Sequence, residues 1–259
     1  MMNILDTIVE QKRREVSLLS ERLVTPTDIR AARREPHDFL AALRQPRRGS
    51  VALIAEVKKA SPSAGVICAD FDPVRIAREY EAAGATCLSV LTDDKFFQGS
   101  LEYLRQIRGA VSLPLLRKDF IVDERQILES AEYGADAVLL IVRILSNDQL
   151  AHFHSLAGRA GLAALVEVHN EAELDRALAV GATLIGINNR NLDNFTVDLA
   201  TTARLAAKVN NIFIVAESGL HTAADVQQVR RAGAGAILVG ESLLRHAGGI
   251  AAKITELVS

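Results

Sequence analysis

Charged and amide side chains follow apolar runs at several places in this sequence. The stretch IAEVKKASPSAG, which starts at residue 54, begins as a buried strand and then places Glu56 and Lys58 where a strand interior should be dry. Comparable endings carry Lys118 in LPLLRKDF, Glu167 in ALVEVHN, Asn188 and Arg190 in LIGINNRNL, and Glu217 in FIVAESG. Because neighbouring carboxylates and amines shift one another's pKa values, these residue types predict acid–base catalysis if the strand ends meet.

The spacing of the apolar runs predicts how these strand ends could meet. Runs with strand character lie at residues 51–57, 87–91, 113–118, 137–142, 163–168, 183–188, 212–216 and 236–240. The segments between them are long enough for helices, and runs such as AVLLIV have almost no polar alternation, which is typical of parallel strands covered by helices. Alternating units of this number favour an α/β fold with a closed (β/α)8 TIM barrel. An open doubly wound sheet is the alternative, weakened because no GxGxxG motif follows the first strand.

An internal repeat supports the alternating pattern. The segments EAAGATCLSVL, AEYGADAVLLI, LAVGATLIGIN and RRAGAGAILVG each combine a helix end, a glycine, a small residue and an apolar strand. The glycines are Gly84, Gly134, Gly181 and Gly233. A glycine at such a position predicts that the helix ends through a left-handed residue and that the next strand begins shortly afterwards.

Strand geometry predicts which side chains enter the barrel. Side chains two apart share a face, so Ile54, Glu56 and Lys58 should all point inward. Active sites of such barrels lie at the C-terminal ends of the strands and draw residues from several strands. We therefore expect the polar strand ends to converge on one mouth. The alternating neighbours Lys59 and Arg117 are expected to be exposed charges.

Small residues after the last two strands indicate a phosphate-binding site. AESGL and ILVGESLL follow strands seven and eight, whose loops often bind phosphate through backbone N–H groups. The candidate residues are Ser218, Gly219, Gly240, Glu241 and Ser242, and SPSAG after strand one adds the hydroxyl of Ser61. The predicted partner is therefore a small phosphorylated substrate.

Composition excludes other classes of protein. The chain has 259 residues, 49% hydrophobic and 24% charged, with a formal net charge of −2, which is typical of globular proteins. Acidic residues interrupt most basic clusters, so no nucleic-acid partner is expected. The sequence has no secretory h-region and no run of about 18 apolar residues, so no membrane association is expected. Cys68 and Cys87 lack the spacing of a disulfide framework or zinc site, which predicts a cytoplasmic protein.

The residues before the first strand predict a helical extension. Helical patterns run from Ile4 to Arg22 and from Thr27 to Leu43, separated near Pro26. We expect residues 1–48 to form an N-terminal helical extension and residues 49–259 to form the barrel, together a single domain. The extension could plug the N-terminal face of the barrel or bind a partner, and the pattern does not decide between these.

The combined motifs resemble the indole-3-glycerol phosphate synthase family over nearly the whole chain. The resemblance depends on IAEVKKASPS, LLRKDFI, ALVEVHN, IGINNRNL, VAESG and LVGESL. It implies ring closure of 1-(2-carboxyphenylamino)-1-deoxyribulose 5-phosphate to indole-3-glycerol phosphate, a step of tryptophan biosynthesis that releases CO2 and water. It implies no metal and no organic cofactor.

The resemblance also implies roles for individual residues. Lys118 matches the general acid that acts on the substrate ketone, and Lys58 and Glu167 match the other proton-transfer groups. Glu56, Asn188 and Glu217 match the polar network around them, and Phe120 matches the wall against the substrate's aromatic ring. A lysine among other cations or in a desolvated mouth could be tuned toward the acid role.

Several alternatives stay open at this point. Another phosphate-binding barrel, such as a sugar-phosphate isomerase, would share the phosphate loops but would not need Lys58, Lys118 and Glu167. A non-catalytic ligand-binding relative would keep the pocket without turnover. The chain could be monomeric, and contacts with other tryptophan-pathway enzymes are not excluded. In relatives the extension supplies a helix near the mouth, so its deletion is expected to raise KM.

Overall fold

Parallel strands form a closed barrel in this protein. The computed structural model describes residues 4–19, 25–32 and 36–258. Each strand pairs with its neighbours in sequence, and the last strand pairs with the first through Ala52 opposite Ala236. The strands are β1 Ala52–Val57, β2 Cys87–Leu91, β3 Leu115–Lys118, β4 Ala137–Ile141, β5 Ala163–Val168, β6 Leu184–Asn188, β7 Phe213–Glu217 and β8 Ala236–Val239. The predicted (β/α)8 barrel is confirmed, and the open sheet is excluded.

Helices cover the barrel and precede it. They are α1 Ile4–Ser17, α2 Pro26–Ala32, α3 Phe39–Leu43, α4 Pro73–Ala83, α5 Asp94–Phe97, α6 Leu101–Arg108, α7 Glu124–Glu132, α8 Asn147–Arg159, α9 Glu171–Ala179, α10 Ala200–Ala206, α11 Ala223–Arg231, α12 Glu241–Leu244 and α13 Gly249–Val258, with a 3-10 turn at Val142–Ile144. A short antiparallel hairpin, Ala60–Ser61 with Gly65–Val66, follows β1 and was not predicted. The repeated glycines Gly84, Gly134, Gly181 and Gly233 all have φ between 77° and 106°, as their position after a helix requires.

The core consists of two shells separated by the strands. Inside the barrel, Ile54 belongs to a cluster of apolar side chains to which all of the strands contribute, including Leu139 and Leu238. Outside it, Ala55 and Val57 pack in the larger layer between strands and helices. This alternation confirms that the even-numbered side chains of β1, and with them Glu56, face the interior.

The extension contacts both ends of the barrel. Phe39 and Leu43 of α3 are each 1% exposed and belong to the interior shell, so this helix closes the N-terminal end. Helix α1 lies instead at the opposite end, where Ile4, Leu5 and Ile8 line the pocket described below.

The helical predictions for the extension were only partly correct. A single helix from Thr27 to Leu43 is wrong, because residues 36–38 are not helical and α3 begins only at Phe39. Helix α1 ends at Ser17, and the predicted end at Arg22 lies outside the described residues. The domain boundary at residue 48 stays a prediction.

Candidate active site

One pocket at the C-terminal ends of the strands is lined by every candidate site residue that the sequence predicted. The residues come from strand ends and the loops after them: Glu56, Lys58, Ser61, Lys118, Phe120, Glu167, Asn188, Arg190, Glu217, Ser218, Gly219, Gly240, Glu241 and Ser242. They converge because a closed parallel barrel brings all carboxyl ends of its strands to one rim. Their placement is therefore a finding, while their chemical roles stay predictions.

Lys118 lies between two carboxylates at the base of the pocket. Its Nζ is 3.6 Å from Oε2 of Glu167 and 3.8 Å from Oε2 of Glu217. The opposite oxygen of Glu167, Oε1, accepts a hydrogen bond of 3.2 Å from Nδ2 of Asn188. Oε2 of Glu167 and Oε1 of Glu217 are buried and have no hydrogen-bond partner within the described ranges. Buried carboxylate oxygens of this kind are available to a substrate proton donor.

A second cation and carboxylate pair comes from β1. Nζ of Lys58 is 2.5 Å from Oε2 of Glu56, and the carboxylate is almost completely buried. The glycine at position 240 makes room for it, since a Cβ there would lie 2.6 Å from the same oxygen. The absence of a side chain at Gly240 therefore leaves space for the Glu56 carboxylate, and this is a role separate from the predicted binding of phosphate.

Burial and mutual charge give the carboxylates different proton affinities. Burial raises the pKa of Glu217, and the charge of Glu167 raises it further, to about 8. Burial alone would raise the pKa of Glu167 too, but Lys118 and His169 outweigh it and lower this pKa to about 2. The pKa of Glu56 is also lowered, because Lys58 and Lys118 outweigh its burial. The pocket thus combines ionised carboxylates with one that is protonated near neutral pH.

Of the two ways in which Lys118 was expected to be tuned, burial is present, but the charged groups that act on it are carboxylates and not cations. Burial by itself lowers the pKa of Lys118, but Glu167, Glu217 and Glu56 outweigh burial and raise it above its ordinary value. The groups around this ammonium are carboxylates, which favour its charged form. Lys118 is therefore held protonated, as a proton donor must be before the reaction.

The expectation that Arg117 is an exposed charge is wrong. It is 4% exposed, and its guanidinium donates to Oγ1 of Thr92, Oδ2 of Asp119 and Oε2 of Glu129. The alternation was correct, because Arg117 points away from the pocket, but the space between β3 and α7 is filled with polar partners. Lys59 is also half-buried rather than exposed.

Helix α1 and two phenylalanines form an apolar wall that the sequence only partly indicated. The rings of Phe97 and Phe120 lie 6.0 Å apart, and Ile4, Leu5 and Ile8 of α1 line the same pocket. Phe120 was expected there, whereas the α1 residues carry no local motif. Their helical spacing is the signal that could have identified them.

One buried lysine attaches α1 to the barrel. Nζ of Lys12 is 3.0 Å from Oδ2 of Asp93 and 3.1 Å from Oδ1 of Asp119, which follow β2 and β3. Asp119 also accepts from Thr92 and from the backbone N–H of Phe120. No local motif in the sequence predicts this cluster, because its members are far apart along the chain.

The loops after β7 and β8 form the side of the pocket opposite β3. Ser218 and Gly219 have φ of 66° and 79°, so consecutive residues are left-handed at this turn. Oγ of Ser242 donates 3.1 Å to the carbonyl of Leu220, which joins the two loops. Arg190 extends from the end of β6, where its backbone N–H donates to Oδ1 of Asn188. The segments after β6, β7 and β8 together supply a guanidinium and small residues, the groups that suit an anionic ligand.

Two further properties bear on ligands and location. The described part of the chain contains no cluster of three or more His, Cys, Asp or Glu side chains placed to hold a metal ion. None of its described helices combines the length and the apolarity needed to cross a bilayer.

Comparisons with known proteins agree with this geometry. The family model described as indole-3-glycerol phosphate synthase matches residues 5–257. The protein of that name from Microcystis aeruginosa is 56% identical over 253 residues, which cover 94% of this chain and 85% of the relative. The one from Chlorobium chlorochromatii is 50% identical and covers 93% of this chain and 95% of its own length. The one from Roseiflexus castenholzii is 51% identical, over 99% and 98%.

Proposed function

The chain belongs to the indole-3-glycerol phosphate synthase family of tryptophan biosynthesis, and we propose how its own residues carry out the ring closure. The substrate is 1-(2-carboxyphenylamino)-1-deoxyribulose 5-phosphate, and the reaction releases CO2 and water. Loss of CO2 makes the enzyme a carbon–carbon lyase. Neither the isomerase alternative nor a non-catalytic module is favoured by this family membership.

The position of Lys118 carries the proposal. The ring carbon that bears the carboxyl group attacks the ketone carbon, and the ketone oxygen takes a proton from Nζ of Lys118. A positioned proton donor at a developing alkoxide contributes about 10²- to 10⁴-fold in rate. Glu167, 3.6 Å away, supports this role because its ionised carboxylate keeps the ammonium charged until the alkoxide forms.

The later steps need a second acid and a base. The carboxyl group leaves as CO2, and its bonding electrons restore the aromatic ring. The hydroxyl then leaves as water with a proton from Lys58, and the adjacent Glu56 carboxylate relays a proton from solvent back to Lys58. The neighbouring carbon loses a proton to Glu167, and the electrons of that C–H bond form the indole double bond. The distance of 2.5 Å between Nζ of Lys58 and Oε2 of Glu56 supports this return of a proton.

The two sides of the pocket fit the two ends of the substrate. Phe97, Phe120 and the α1 side chains would hold the aromatic ring, while Ser218, Gly219 and the loop after β8 would bind the phosphate. Arg190, which lines the same pocket, would pair through its guanidinium with the substrate carboxylate. Holding both ends brings the reacting carbons together, and such positioning supplies much of the rate in a ring closure.

The activity itself can be tested with the purified protein. Indole fluorescence should appear on mixing with the carboxyphenylamino-deoxyribulose phosphate, and an intact substrate without product would contradict the proposed function. Turnover of phosphoribosylanthranilate in its place would support the isomerase alternative.

The Lys118→Arg variant tests the acid role. A guanidinium keeps the positive charge but does not release its proton at working pH, so kcat should fall about 10²-fold or more. Binding should change less than turnover. Lys59→Arg is the matched control, because Lys59 is on the same rim and does not line the pocket. Full activity in Lys118→Arg would remove it from the acid role and leave Lys58 as the candidate.

Location and assembly remain proposals too. We propose a cytoplasmic enzyme, which Cys68 and Cys87 support because neither forms a disulfide. A monomer is proposed as the active species, because the candidate acid, base and phosphate-binding residues of a single chain already converge on one pocket.

A further inference from the structure

His169 lies between the proposed base and a second carboxylate. It follows the end of β5, two residues beyond Glu167, and its side chain is only 7% exposed. Its Nδ1 is 2.9 Å from Oε2 of Glu173, and its Nε2 is 3.3 Å from Oε1 of Glu167. The imidazole therefore bridges the interior of the barrel and the start of helix α9.

Glu173 is held in place by contacts of its own. Its Oε2 also accepts the backbone N–H of His169 at 2.8 Å, and its Oε1 accepts from Nδ2 of Asn170 at 3.0 Å. Asn170 in turn caps α9 by accepting the backbone N–H of Glu173. This reciprocal arrangement fixes the carboxylate, so Nδ1 of His169 must be the nitrogen that donates to it.

The position of the second nitrogen then determines the charge of the ring. A neutral imidazole that donates from Nδ1 would direct the lone pair of Nε2 at the Glu167 carboxylate. That arrangement is repulsive, whereas a proton on Nε2 turns the same distance into an ion pair. Nε2 has no hydrogen-bond partner within the described parts of the chain, and its contact with Glu167 is an ion pair at 3.3 Å.

The charges around His169 agree with a protonated ring. Glu167 faces it from β5, Glu173 from α9 and Glu217 from β7. The cations nearby are Lys118, beside Glu167, and Arg143, whose charge acts on Glu173. Burial lowers the pKa of His169, but the two adjoining carboxylates outweigh burial and raise it to about 9.

We propose that His169 is a positioning residue, an imidazolium that keeps the Glu167 carboxylate ionised and directed into the barrel after Lys118 has given up its proton. The inference rests on the proposed function, in which Glu167 is the base of the later step. Once Lys118 is neutral, Glu167 loses its neighbouring cation while Glu217 remains close. His169 is then the cation in contact with it, and it preserves the base until the C–H proton is removed.

The pH dependence of kcat separates this role from packing. His169→Gln keeps an N–H donor and removes the charge, so kcat should fall about tenfold and the acidic limb of the kcat profile should move up by about one pH unit. KM should change little, because His169 does not line the pocket. Glu173→Gln should move the alkaline limb to lower pH, since His169 would then lose its proton more readily. His152→Gln is the control, because His152 forms a similar pair with Glu124, 2.7 Å away on the surface.

A measurement without turnover distinguishes this inference from the proposed function. In the wild-type protein, NMR titration of the imidazole should show a ring that stays protonated through pH 8, and the Glu173→Gln variant should titrate lower. A ring that titrates below pH 7, or a His169→Gln profile whose limbs do not move, would overturn the inference. Full activity in Glu167→Gln would instead contradict the role proposed for Glu167, whatever the imidazole does.

Discussion

Removal of the Lys12 ammonium should loosen helix α1 without unfolding the barrel. Lys12→Met keeps the length and apolar stem of the side chain and deletes a charge that is 3.0 Å from Asp93 and 3.1 Å from Asp119. The two carboxylates are 0% and 1% exposed, so the loss leaves buried negative charge without its cation. Removing one partner of a buried ion pair costs about 3–5 kcal/mol.

The lower end of that range applies here. Asp119 keeps the Arg117 guanidinium at 2.9 Å and the hydroxyl of Thr92 at 2.6 Å, so Asp93 bears most of the penalty. A change of about 3 kcal/mol corresponds to roughly a hundredfold shift in the docking equilibrium of α1. Leu5, Ile8 and Val9 would still favour the docked helix through their burial.

Hydrogen exchange and kinetics together test this reasoning. Amide protection in α1 should fall by up to about a hundredfold, while protection in the strands should be unchanged. KM should rise more than kcat falls, because only molecules with α1 docked have a complete apolar wall. Lys95→Met is the control, since its ammonium contacts the same helix through a single exposed bond of 3.0 Å to Gln11. Unchanged α1 protection in Lys12→Met would refute the view that this lysine holds the helix.

Two further predictions concern Glu217. A Cβ at Gly186 would lie 2.2 Å from Oε1 of Glu217, so Gly186→Ala should displace that carboxylate from Lys118 and lower kcat about tenfold or more with little change in Tm. Gly158→Ala is the control and should keep wild-type kcat, because a Cβ there has no atom within 4 Å. Equal kcat in both variants would contradict the steric argument. The pKa of Glu217 is raised from 4.5 to about 8, so the contribution of this group to stability is complete below pH 4.5 and is lost as pH rises through 8. In thermal scans of the Glu217→Gln variant, the fall of Tm over this pH range should therefore be flatter than in the wild-type protein. An unchanged slope would refute the raised pKa.

The polar rim could be predicted from the sequence because two simple rules determine it. Alternation along β1 assigns Glu56 and Lys58 to one face, and closure of a parallel barrel then brings that face together with the ends of the other strands. No distances were needed for either step. The same rules brought Lys118 and Glu167 to the pocket, although their 3.6 Å separation depends on side-chain conformations that a sequence does not express.

Other features escaped prediction because they depend on partners distant in sequence. Arg117 was assigned to the correct side of β3, but nothing local to it predicts the polar groups that bury it. Lys12 meets carboxylates about 80 and 107 residues away along the chain, and a lysine on an amphipathic helix is ordinarily solvated. His169 could have been found from its position two residues after Glu167, whereas the opposing carboxylate required the fold of α9.

The two thiols differ in their exposure, so the rate at which each one is alkylated reports a different kind of opening of the protein. Cys87 is 0% exposed inside the barrel, and burial raises its pKa well above the usual value, so an alkylating reagent can reach a reactive thiolate there only when strands separate. Cys68 is half-buried in the segment that links the hairpin after β1 to α4, with its Sγ donating to the carbonyl of Asp70 at 3.4 Å. Pulsed labelling followed by mass spectrometry therefore records loop movement at one site and rupture of the barrel at the other, without any introduced probe.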